Sequence, residues 1–185
     1  MLKINRLDHK IWGIAWPAIL SNISVPLLGL VDAAILGHLG TTHYLGAVAL
    51  GSALLSFLYW GFGFLRMSTT GLAGQAHGAG ASAENTNVLL RAALISLALA
   101  AVVLLLQIPF LKVALTFIDA SADVEMRVET YFFIRVYSAP AVLGIYVMVG
   151  WLLGNQNARA VMWLVLVTNA FNVVLDLVFV VGWDM

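Results

Sequence analysis

Cysteine is absent from the 185-residue chain, so disulfides, thioether-attached haem and thiolate metal sites are excluded. Charge is scarce: 10% of residues are charged, against roughly 25% in soluble domains. The 9 basic and 9 acidic side chains cancel, so no electrostatic footprint for nucleic acid exists. What fills the space is apolar. Hydrophobic residues make up 62% of the chain, and the mean hydropathy is +0.98. This composition belongs to an all-α polytopic membrane protein. The apolar run after "MLKINRLDHK" is too long for a signal-peptide core and lacks a small-residue cleavage site.

A helix needs about 20 mostly apolar residues to cross the hydrocarbon. Five stretches qualify, at about 11–36, 44–65, 88–111, 131–153 and 161–183. They are long and continuous rather than short and alternating, which argues against a β-barrel. Lys3, Arg6, Lys10, Arg66, Arg91 and Arg159 flank one set of alternate loops, whereas Lys112 and Arg127 flank the other. The positive-inside rule then places the N-terminus in the cytoplasm. "MSTTGLAGQAHGAGASAENTN" reads as a cytoplasmic loop. Its glycines lack the Gly-Lys-Ser/Thr ending of a phosphate-binding loop. The chain stops at "VVGWDM", directly after a span, which suggests a piece of a longer protein; the alternative is a genuine five-span protein.

Two acids fall inside spans, Asp32 in the first and Asp176 in the fifth. Counting 1.5 Å per residue from the glycines at the outer ends, both lie roughly 7–9 Å below the outer boundary. Intramembrane acids usually face a bundle interior or a water-filled cavity and mark ion or proton pathways. Such a carboxylate takes a proton, or offers oxygen ligands to a small cation. The structural alternative is an acid satisfied by hydroxyls, backbone groups or headgroup water.

Asn172 stands four residues before Asp176, on the same helical face, and Asn169 lies one turn further in. Span one carries Pro17 and Pro26, with Asn22 and Ser24 between them, and prolines free backbone carbonyls and kink helices. Arg135 and Tyr137 sit in span four, where Arg135 either pairs with one of the aspartates or snorkels to the interface. Trp12, Trp16, Trp151 and Trp183 fall near span ends, as interfacial anchors do. Tyr59 and Trp60 lie mid-span, where they line a cavity or pack. The four histidines show no metal-ligand spacing, so no metal site is assigned.

"SNISVPLLGLVDAAILGHLG", "FLRMSTTGLAGQAHGAG", "GWLLGNQNAR" and "TNAFNVVLDLVFVVG" closely resemble the multidrug and toxic compound extrusion (MATE) transporters. Within that family they are similar to the branch named for the DNA-damage-inducible protein F. The resemblance implies a cation-coupled antiporter, driven by protons or sodium, that expels organic and often cationic drugs from the cell across the plasma membrane. It implies no cofactor. It implies twelve helices in two six-helix lobes, of which this chain supplies five helices of the N-terminal lobe. The sixth helix and the C-terminal lobe lie outside the sequence. The family's coupling aspartate on helix one maps onto Asp32, its Asn/Asp pair on helix five onto Asn172 and Asp176, and its first-helix proline onto Pro17 rather than Pro26.

Other classes fit less well. An intramembrane aspartyl protease carries Gly-x-Gly-Asp, whereas this chain has Gly29-Leu30-Val31-Asp32, and Asp176 follows Leu175 where a tyrosine is expected. A flippase for lipid-linked sugars favours a cationic cavity, and Arg135 is the cation available within the spans. A half-length membrane subunit that pairs with another half is the remaining alternative.

Overall fold

The structure is a computed structural model that describes residues 6–37, 42–118, 122–176 and residue 178. Eight α-helices appear among the described residues, and no strand. They are α1 (Arg6–Gly37), α2 (Thr42–Trp60), α3 (Phe64–Gly78) and α4 (Ser82–Leu105). After them come α5 (Gln107–Leu115), α6 (Ala122–Arg135), α7 (Ala139–Gly154) and α8 (Ala158–Asp176). The segments Gly46–Gly78, Ser82–Leu105 and Asp123–Gly154 are each long and apolar enough to cross a membrane, and Ala158–Val174 is a shorter apolar helix. With 32 residues, α1 extends about 48 Å.

The helices form two compact units, Thr41–Gly154 in one and Met1–Gly40 with Asn155–Met185 in the other. In the larger unit, α7 packs on α3 and α4, and α2 packs on α6. Its core gathers Leu55, Tyr59, Val103, Leu111, Phe132 and Leu143. Phe132 stacks on Phe110, with ring centroids 5.9 Å apart. Tyr59 therefore packs in the core, whereas Trp60 is exposed. In α4 the small or polar Asn85, Ser96 and Ala100 face inward, while Leu90, Leu94 and Leu97 face out. Val88 and Val103 are buried beside them, and the outward leucines suit a helix whose outer solvent is lipid and whose inner contacts need close approach.

The stretch expected to be a loop after Arg66 is helical through Gly78. Its hydroxyls do not break the helix, because they bond back into it. Ser68 Oγ donates to the Phe64 carbonyl at 2.8 Å, Thr69 Oγ1 to that of Leu65 at 2.6 Å, and Thr70 Oγ1 to that of Arg66 at 2.7 Å. Its small residues serve contact with α7. A Cβ placed on Gly154 would lie 2.7 Å from both the Ala73 Cβ and the Thr70 carbonyl oxygen. The helix stops at Gly80, whose φ of 68° is left-handed. There Gly80 N donates to the His77 carbonyl and Ala81 N to that of Ala76, a Schellman ending.

Proline sets two further breaks. Pro109 has no N–H to give the Leu105 carbonyl, and α4 ends at Leu105 before α5 starts. Pro140 likewise leaves the Val136 carbonyl to Ala139 N–H, and a 3₁₀ turn over Val136–Ser138 separates α6 from α7. Trp151, expected as an interfacial anchor, is instead half-buried and donates from Nε1 to the Asn85 carbonyl at 3.1 Å. Its indole ties α7 to α4. Trp12 and Trp16 are exposed on α1.

Candidate functional site

The candidate residues fall mostly in the smaller unit, where α1 packs against α8. Asn157 starts α8 by accepting a hydrogen bond from Ala160 N on its Oδ1 at 3.1 Å, an N-cap. From there α8 runs to Asp176 and carries Asn169, Asn172 and Asp176 at i, i+3 and i+7. That spacing keeps the three on one face. Asn169 and Asn172 are half-buried.

On α1 the polar residues between the prolines form a short ladder. Pro17 and Ser21 are buried, Ser24 is half-buried and Pro26 is exposed. Ser21 Oγ donates to the Pro17 carbonyl at 2.8 Å. Ser24 Oγ donates to the Ser21 carbonyl at 2.8 Å. The Ser24 proton is thereby committed, so toward α8 its oxygen can only accept. Asn169 Nδ2 supplies the donor, at 3.1 Å. This bond fixes the register between α1 and α8 and turns the amide nitrogen of Asn169 toward α1. Ser21 was not among the residues singled out from sequence. A serine four residues after a proline is a signal that could have found it, because its hydroxyl reaches the i−4 carbonyl.

Asp32 lies on α1 and Asp176 is the last residue of α8. The side chains of both are outside the described residues. Arg135 and Tyr137 belong to the larger unit. Arg135 ends α6, Tyr137 lies in the following 3₁₀ turn, and both are exposed. Arg135 has no carboxylate partner among the described residues. No cluster of three or more His, Asp or Glu side chains that could hold a metal ion occurs among the described residues.

The MatE family model matches residues 17–178. The chain belongs to the MatE family. It is 45% identical over 178 residues to DNA damage-inducible protein F of Escherichia coli (strain K12), covering 96% of this chain and 39% of that protein. It is 28% identical over 196 residues to Protein DETOXIFICATION 44, chloroplastic, of Arabidopsis thaliana, covering 98% of this chain and 37% of that protein. Among solved structures it matches a MOP superfamily transporter from Pyrococcus furiosus with a TM-score of 0.82 at 20% identity, covering 92% of this chain and 38% of that one. The chain thus spans about two-fifths of the length of the relatives it matches. It is a multi-pass membrane protein of the MatE family.

Proposed function

We propose that the complete protein is an antiporter of the plasma membrane that exports organic, often cationic, toxic compounds in exchange for protons or sodium. In this reading the chain is part of an N-terminal lobe with a cytoplasmic N-terminus, and Asp32, Asn172 and Asp176 carry the coupling ion. The observation that carries the reading is the Ser24–Asn169 hydrogen bond. Three membrane-length segments lie between α1 and α8 in the sequence. If each crosses once, α1 and α8 run in the same sense. From Ser24 to Asp32 is eight residues along α1, and from Asn169 to Asp176 is seven along α8. At 1.5 Å per residue, the two acids stand about 12 Å and 10 Å beyond the contact, at nearly one level. This estimate does not use the span ends from which the matching depth was first read.

Two carboxyl groups at one level of a membrane bundle repel when both are ionised, so a proton or Na⁺ between them is stabilised. Loading by the cation shifts the transporter only as far as the cation binds its two conformations unequally. The two acids on separate helices are the groups able to sense that difference. Asn172, one turn before Asp176, adds an amide oxygen acceptor.

The test is dye transport in everted vesicles holding the complete protein, under a proton gradient alone and then a sodium gradient alone. Asp32→Asn is expected to abolish gradient-driven transport while leaving insertion intact. Transport by the variant at the wild-type rate would overturn the assignment of Asp32.

A further inference from the structure

The helices of the larger unit sort into two sets. α3, α4 and α7 pack on one another, and α2 packs on α6. Within each set the contacts are close. Gly150 and Gly154 bring α7 against the α3 backbone, and Trp151 ties α7 to α4. In the other set the Tyr131 ring lies against Gly51, and its hydroxyl shares a hydrogen bond with Ser52 Oγ at 2.8 Å. Between the sets, the 3₁₀ turn and α5 are the main bridges. Beside the turn, Tyr59, Phe132 and Leu143 meet in one apolar cluster, whose surfaces can slide. Further along, α2 does not close on α4, because an open apolar hollow of about 790 Å³ lies between them.

The two membrane-length segments that run from one set into the other are each interrupted at the middle. In Gly46–Gly78 the break at 61–63 separates α2 from α3, and Phe62 has 16 residues on either side. In Asp123–Gly154 the 3₁₀ turn separates α6 from α7, and Ser138 has 15 residues before it and 16 after. The breaks are neighbours, since the Tyr59 hydroxyl stands 3.5 Å from Ser138 Oγ, a weaker contact than Ser52–Tyr131. Hydrocarbon supplies no partner to a broken helix. The break at 61–63 stays satisfied through tight bonds to the third residue back, Phe62 N to the Tyr59 carbonyl and Gly63 N to that of Trp60, each 3.0 Å. Such stretches inside a helix often mark hinges. One break alone would shear its helix past the packed neighbour. Two at one level let both helices bend about a single axis.

We propose that residues 61–63 and Val136–Ser138 form one hinge, about which α2 and α6 swing as a body against α3, α4 and α7 when the transporter changes the side it opens to. The hinge rests on the transport reading, but on neither of the coupling acids.

The test is pulsed electron–electron spin resonance on the complete protein in lipid nanodiscs, in acid and alkaline buffer, with and without sodium and ethidium. Spin labels at Ala49→Cys and Leu105→Cys, both exposed, report α2 against α4. Labels at Leu72→Cys and Leu94→Cys, also exposed, report α3 against α4. Ala49 lies 12 residues before Gly61, an arm of about 18 Å, so a swing of about 20° moves it about 6 Å. The Ala49–Leu105 distance should therefore take two values about 6 Å apart, with the Leu72–Leu94 distance constant. Gly61→Ala, Gly63→Ala and Pro140→Ala together should hold one Ala49–Leu105 distance and cut ethidium transport at least tenfold. The added Cβ atoms at Gly61 and Gly63 meet only the turn's own carbonyls, at 3.4 and 3.2 Å. If this variant does not fold, the distances decide alone. Two distances in a protein whose transport survives Asp32→Asn would support the hinge while removing the coupling assignment. One unchanged Ala49–Leu105 distance under every condition would overturn the hinge, whether or not the protein transports. Wild-type transport by the folded triple variant would overturn it equally.

Discussion

Gly150 and Gly144 lie in the same helix, α7, yet alanine should act on them in opposite directions. A Cβ on Gly150 would stand 2.6 Å from the Arg66 carbonyl oxygen and 3.1 Å from the Thr69 Cβ. Carbon–oxygen contacts of this kind settle at about 3.3–3.6 Å, so α3 and α7 must separate by about 0.7 Å. The obstacle is backbone, which cannot swing aside as a long side chain does. Thr69 and Ala73, buried at 2% and 0% exposure, would lose contact as the gap opened. Overpacking of this kind costs about 1–3 kcal/mol. Around Gly144 nothing lies within 4 Å. There alanine keeps only the helix-propensity gain, about 0.5–1 kcal/mol. The gain applies at both sites, so the difference between the two variants isolates the clash, about 1–3 kcal/mol in favour of Gly144→Ala. Unfolding of the complete protein in rising SDS, followed by circular dichroism, measures it. Equal midpoints, or a more stable Gly150→Ala, would refute the close-packing account of α3 and α7.

Two other predictions concern the smaller unit and the topology. In a double-mutant cycle of Ser24→Ala and Asn169→Ala, the coupling energy should be about 0.6 kcal/mol, the usual size of a hydrogen bond between membrane helices; zero coupling would remove the contact on which the α1–α8 register rests. Because the chain has no cysteine, single cysteines at Thr42 and Ser82 can report sidedness. Thr42 should label from outside and Ser82 from the cytoplasm, and labelling of both from one side would overturn the orientation.

Much of the fold class was legible because composition alone decides the solvent: a chain with this little charge has to sit in lipid. The helix breaks were less legible. Pro109 and Pro140 fall inside the expected spans at 88–111 and 131–153, and each removes one backbone donor and interrupts the α-helix there. The reverse holds at "MSTTGLAGQAHGAG", expected as part of a loop and helical through Gly78. Hydroxyls and glycines in a row look like a loop, since both favour turns in water. Whether they break a helix depends on a neighbour that the local sequence does not name. Here that neighbour is α7, whose Gly150 and Gly154 approach α3 so closely that only small residues fit between.

The same reasoning explains which part of the candidate site could be read. The Asn169–Asn172–Asp176 face follows from helical spacing within one segment, so a sequence displays it. Ser24 was visible only as a polar residue between two prolines. Its partner lies 145 positions away, and no periodicity connects positions that far apart. What does connect them is hydrogen-bond arithmetic. Ser24 spends its one proton on the Ser21 carbonyl, so any group opposite must donate, and an asparagine amide can do so while keeping its own oxygen as an acceptor. In lipid, where no water stands by to complete either side chain, that reciprocity favours a fixed pairing of α1 with α8. The register of α1 on α8 is thus held by a serine and an asparagine that no local pattern pairs.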